Sequence, residues 1–171
     1  DYLELDDYLF DISITANRPD CHSVIGIAKE IAAALKKPFK APDMSYTEDG
    51  TVNENISIEV LDKELCPRYL GHYIYDVKEM ESPLWMKRRL IAVRHNAISA
   101  MVDITNYVLH EVGQPLHAFD AAKITGNKVI VRRAEEGEKF VTLDGVERTL
   151  SAADLMIANT EKSMCLAGVF G

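Results

Sequence analysis

VDITNYVLHEVGQPLHAFD, residues 102–120, is the stretch on which the reading of this chain turns. It begins as an amphipathic helix, from about Val102 to Val112. It stops at Gly113, the residue type that most readily closes a helix in the left-handed conformation. Pro115 then stiffens a turn-like run that carries His117 and Asp120. A core helix needs none of the Thr, Asn, His and Asp residues gathered here, whereas a pocket for a small polar ligand uses them. Thr105 and Asn106 sit mid-helix, where their side chains compete for backbone hydrogen bonds. They either lie on the solvent face or line such a pocket. His117 is either an ordinary surface or core histidine, or a loop residue held on a rigid scaffold. In the second case it binds, orients water or relays a proton near neutral pH. Asp120 is expected to cap the short AAKI turn. His110 falls on the same helix face as Asn106.

Outward from this helix the chain alternates between the two periodicities. Upstream, Ser82-Pro83 reads as an N-cap with Pro at the first helical position, leading a helix through Leu84, Trp85, Leu90 and Ile91. Before it, residues 68–77 (RYLGHYIYDV) and the alternation Ile56, Ile58, Val60 predict two strands. Residues 43–53 are polar and weakly patterned, and mark a linker. Val24, Ile27, Ala28, Ile31 and Leu35 recur at helical spacing. Residues 8–15 (YLFDISIT) alternate as a half-buried strand, joined to that helix by the NRPD turn. Downstream, residues 128–132 predict a strand, and Asp144-Gly145 predicts the turn of a hairpin over 139–150. Ser151 caps a short turn, and 156–158 and 164–169 read as final strands. The last of these, LAGVFG, contains Gly168, where a strand glycine marks a bulge or the close approach of a ligand. The fold class is α/β of the α+β type, with layered, largely antiparallel sheets flanked by helices.

Composition narrows the function. The chain has 171 residues, 47% of them hydrophobic, with a net charge of −8. Its overall field repels a phosphate backbone, so any nucleic acid is contacted locally or through another chain. Lys87, Arg88, Arg89 and Arg94 form the densest basic group; it reads as a solvated face or as a phosphate contact. Cys21, Cys66 and Cys165 lack metal-ligand spacing and suit free thiols in a reducing compartment. No metal site, phosphate-cradling loop or nucleophile elbow is expected. No apolar run is long enough to span a bilayer, and no signal peptide is apparent. The absence of an initiator Met and the apolar final run read as cuts from a longer protein.

Three motifs in order, VDITNYVLHEVGQPLHAFD, VRRAEEGEKFVTLDGVERTL (131–150) and LAGVFG (166–171), resemble the B3/B4 region of the bacterial phenylalanine–tRNA ligase beta subunit family. FDISITANRPDCHSVIGIAKEIAAAL (10–35) is similar to the second half of that family's B1 domain. The resemblance implies residues 1–42 as a B1-like fragment, 43–54 as a linker and 55–171 as a B3/B4-like domain. It also implies a cytoplasmic (αβ)2 heterotetramer that charges tRNA, with ATP and magnesium used in the alpha subunit and no cofactor in this piece. The B3/B4 region implied is an editing module that hydrolyses mischarged tyrosyl-tRNA. By motif, Thr105 and Asn106 match the TN pair of its pocket, His117 the His of its QPxHAFD motif, and Ala167 and Gly168 the AG pair. The family places a further Gly and a Glu downstream. A catalytically silent structural module and an amino-acid-binding regulatory module are the competing readings.

Overall fold

A computed structural model describes residues 6–48 and 55–170. Part of the expected linker, residues 49–54, and the terminal Gly171 lie outside the described residues. Backbone contacts group the chain into two compact units: Asp1–Tyr46 with Val77–Ala118, and Thr47–Asp76 with Phe119–Gly171.

The first unit is helical. α1 (Val24–Ala34) starts at Ser23, whose hydroxyl accepts from the Gly26 N–H at 3.1 Å. α2 (Leu84–Ala92) and α3 (Ala100–Val112) follow, and α3 packs against both others. Gly113 closes α3 at φ 79°, as its residue type led us to expect. The apolar stripe of α1 is incompletely covered, with Val24 and Ile31 exposed. Ser82 does not cap α2. It is buried, and its hydroxyl donates instead to the carboxylate of Asp103. The α2 N-cap is Pro83, which makes no side-chain cap.

The second unit carries the sheets. β1 (Ser57–Val60), β2 (Lys128–Arg133), β5 (Leu155–Ala158) and β6 (Ser163–Leu166) form one sheet in the order β1-β2-β5-β6. β3 (Lys139–Val141) and β4 (Glu147–Thr149) form the hairpin expected around Asp144-Gly145. Alternation along the strands sends successive side chains to opposite faces. Val129, Val131 and Ile157 join Ile124 and Cys165 in one cluster, while Met156 joins Ala134 and Leu150 in the other. The class is α+β. Its antiparallel character is broken at one place: β1 pairs with β2 in parallel, Ser57 opposite Lys128.

Two expected strands are absent. Residues 8–15 have no strand structure, and Tyr8, Leu9 and Phe10 are exposed. Residues 68–77 likewise form no ladder. Alternation marks a segment suited to a sheet, but the strand exists only when a neighbour takes up its backbone N–H and C=O groups. β6 is also shorter than residues 164–169, because the chain turns back after Leu166, with Gly168 at φ 72°.

Candidate functional site

Thr105 and Asn106 are half-buried neighbours in the middle of α3. The Thr105 hydroxyl donates to the Val102 carbonyl at 2.7 Å, one turn back, so its proton is used within the helix. Its lone pairs remain available to a donor. Asn106 presents an amide that both donates and accepts. His117 is exposed, four residues beyond the Gly113 cap. Asp120 makes the expected cap, accepting from the Ala122 N–H at 3.1 Å.

Ala167 and Gly168 lie just past β6. The Ala167 N–H donates to the Leu155 carbonyl at 2.8 Å and ties the strand end to β5. The turn beyond is closed by the N–H groups of Val169 and Phe170, both donating to Leu166, while the Leu166 N–H donates to the Phe170 carbonyl. The N–H of Gly168 is not among the donors of that turn, and Gly168 is exposed. Its positive φ is a conformation that glycine adopts without steric cost. A side chain there would meet no other atom within 4 Å, so the backbone stands open. Thr105, Asn106 and His117 thus belong to the first unit, and Ala167 and Gly168 to the second.

The polar centre of the first unit lies elsewhere on α3. Asp103 is 1% exposed. Its carboxylate accepts from the Ser82 hydroxyl and, at 2.8 Å, from the Ile98 N–H. A cavity of about 280 Å³ beside it is bordered by Glu81, Ser82, Lys87, Ala97, Ile98 and Asp103. None of the five candidate residues is in that lining. The sequence reading missed Asp103. The available signal was an acid between Val102 and Ile104 on a helix whose neighbours are core-like.

His110, singled out only for its face, reaches His95 in the loop after α2, with Nε2 and Nδ1 3.2 Å apart. Partial burial and the neighbouring imidazole push the His110 pKa below its ordinary value. Among the described residues, one group of three metal-type ligand atoms is found, on Asp20, Cys21 and Glu30. The Arg18 guanidinium already pairs with both carboxylates, at 2.8 and 2.6 Å. With the guanidinium occupying both carboxylates and a thiol as the third donor, the set does not suit a hard cation such as magnesium. Burial pushes the Cys165 thiol up to about 11, which leaves it unreactive near neutral pH. No helix among the described residues is long and apolar enough to cross a membrane.

Comparison with known proteins agrees with these motifs. A family model described as the B3/4 domain matches residues 65–171. The phenylalanine–tRNA ligase beta subunit of Oleidesulfovibrio alaskensis is 48% identical over 172 aligned residues, covering 100% of this chain and 22% of that protein. The beta subunits of Syntrophus aciditrophicus and Geobacter metallireducens are 48% and 49% identical, again over 100% of this chain and 21% and 22% of theirs. The chain therefore spans about a fifth of the length of these relatives.

Proposed function

This chain belongs to the B3/4 domain family, and we propose that it is the editing module of a phenylalanine–tRNA ligase beta subunit, hydrolysing tyrosine mischarged onto tRNA. The observation that carries this reading is that Thr105, Asn106, His117, Ala167 and Gly168 all stand at their motif positions in a chain 48% identical, along its own whole length, to part of one such beta subunit. The division into a B1-like piece (1–42), a linker (43–54) and an editing domain (55–171) is part of the same proposal.

The chemistry has a clear motive. A synthetic site for phenylalanine rejects tyrosine through one hydroxyl, and an apolar pocket discriminates weakly against an added hydroxyl. A second site that hydrogen-bonds the misacylated residue selects the error positively. In this reading Thr105 and Asn106 take the polar groups of the amino acid. Gly168 belongs to the same set by motif, and its open backbone lets a ligand approach its N–H. His117 orients the attacking water or accepts its proton. Asp103 has a supporting part, since it holds the start of α3 that carries Thr105 and Asn106. Synthesis with ATP and magnesium is assigned to an alpha subunit in an (αβ)2 cytoplasmic assembly.

The test is made in the complete heterotetramer. His117→Ala should slow deacylation of tyrosyl-tRNA by about 10²–10⁴-fold if the imidazole is the general base. Phenylalanine activation should stay near the wild-type rate. Wild-type deacylation by the variants His117→Ala and Asn106→Ala alike would overturn the editing assignment in favour of a catalytically silent module.

A further inference from the structure

Asp103 brings a carboxylate into the interior of the first unit without a positive charge beside it. It is 1% exposed, and it accepts from two neutral donors, the Ser82 hydroxyl and, at 2.8 Å, the Ile98 N–H. Among the described residues no basic side chain pairs with it. Lys87 on α2 is turned instead to Glu81, with Nζ 2.6 Å from Oε2, and that carboxylate is exposed. A buried charge is ordinarily met by a counter-charge or a bound ion, because neutral hydrogen bonds replace only part of what water supplied. An ionised carboxylate has about four lone-pair sites, so two accepted bonds leave it unsaturated.

Room for a partner is present. Asp103 and Ser82 border the cavity of about 280 Å³ together with Glu81, Lys87, Ala97 and Ile98. Glu81 and Lys87 offset each other, which leaves the lining with the charge of Asp103 in excess. The volume stands at the small end of the roughly 300–1,000 Å³ usual for ligand pockets. It is more than a bare ion fills and suits a molecule of a few heavy atoms. The buried Ser82 hydroxyl gives its proton to Asp103 and keeps its lone pairs. Asp103 and Ser82 thus offer acceptors, and a ligand that satisfies them brings donors and positive charge.

We propose that this cavity is a binding site for a small primary amine, its ammonium group on Asp103 and Ser82 and its short carbon chain against Ala97 and Ile98. An ammonium group is a compact charge that carries its own N–H donors, and its bonds to a carboxylate are about twice as strong as neutral ones. Lys87 is the internal rival for the same carboxylate, and Glu81 keeps it occupied. None of the five candidate editing residues borders the cavity, so the inference stands whether or not the chain edits.

The 171-residue chain is titrated with ethylammonium chloride at fixed pH and ionic strength, and binding is followed by the NMR resonance of the Ile98 amide, which donates to Asp103. That resonance should shift and saturate. Tetramethylammonium chloride, which has the charge but no N–H donor, and potassium chloride should leave it in place at equal concentration. Asp103→Asn keeps an acceptor for Ile98 and removes the charge, and should weaken ethylammonium binding by about 10- to 100-fold. Glu81→Gln frees Lys87 to turn to Asp103 and should weaken binding by about 2- to 5-fold, whereas Lys87→Met removes the rival and should tighten it by a similar factor. The last two variants leave the Asp103 hydrogen bonds intact, so they test the site even if Asp103→Asn fails to fold. An Ile98 resonance that ethylammonium does not move, or that potassium or tetramethylammonium moves as far, overturns the proposal. So does an affinity unchanged in both Glu81→Gln and Lys87→Met.

Discussion

Asp103, in the first turn of α3, accepts the hydroxyl proton of Ser82, 21 residues earlier in the chain and just ahead of α2. With the Ile98 N–H as a second donor, one buried carboxylate joins the entry to α2, the loop after it and the start of α3. Removing the acceptor leaves the buried Ser82 hydroxyl unpaired, a cost of about 1–3 kcal/mol, and takes the partner from the part-buried Ile98 N–H. Asp103→Ala should therefore lower the urea midpoint far more than Thr105→Ala, whose hydroxyl only back-bonds within its own helix. Asp103→Asn should cost less, because the amide oxygen still accepts one bond. Equal midpoints for Asp103→Ala and the wild type would show that this bond does not hold the unit together.

Gly26 is required by close packing rather than by backbone conformation. A β-carbon there would lie 1.9 Å from the Asp20 carbonyl oxygen and 3.1 Å from the Cys21 Cα, both backbone atoms. The start of α1 must separate from the 3-10 turn Pro19–Cys21 to admit it. Gly26→Ala should cost at least about 2–3 kcal/mol. Gly145→Ala is the comparison: φ is 77° but nothing lies within 4 Å, so only about 1–2 kcal/mol of backbone strain is expected. Thermal melts in which the two variants lose the same amount would count against the packing argument.

The His95–His110 contact makes stability depend on pH with a definite sign. Burial and the second imidazole depress the folded-state pKa of His110 below its ordinary 6.5. The folded form then binds its proton less readily than the unfolded form does. The contribution is complete above about 6.5 and is lost as pH falls below it through the lower folded value. Wild-type stability should decline from pH 7 to pH 5 more steeply than that of His110→Leu. Imidazole titration followed by NMR should give His110 a midpoint under 6.5; a midpoint above it reverses the sign.

In the second unit Glu138 is the corresponding anchor. It accepts two bonds from the Arg132 guanidinium, at 2.9 and 3.0 Å, one from the Ser163 hydroxyl at 2.6 Å, and the Glu135 N–H at 2.9 Å. The Arg132 hydrogen bonds hold its pKa down to about 2 from 4.5. A depressed carboxylate pKa contributes stability above about 4.5, which is lost as pH falls toward 2. Glu138→Gln should cost about 2 kcal/mol at neutral pH, and the difference from wild type should shrink on acidification. Urea midpoints measured from pH 7 to pH 3 decide this, and a difference that grows in acid would be inconsistent with it.

The sequence by itself determined the elements whose causes are local. α1 and α3 follow from apolar residues at helical spacing, and Gly113 ends α3 because few other residues adopt φ near 79° cheaply. The β3–β4 hairpin follows from Asp144-Gly145, since Asp144 Oδ1 accepts the Val146 N–H within the turn. The candidate residues stand out by the same kind of local signal, as Thr, Asn and Gly placed where a helix or strand does not ask for them, and their joint role belongs to the proposal. Tertiary structure alone decided whatever needed a distant partner. Residues 8–15 and 68–77 alternate like strands but have no ladder, because periodicity specifies a face and says nothing of a neighbour. β1 lies parallel to β2 across 71 positions, Ser57 to Lys128. Ser82 sits where a helix cap would stand, yet its hydroxyl turns to Asp103, because a buried carboxylate without donors is costlier than an exposed helix end without a cap.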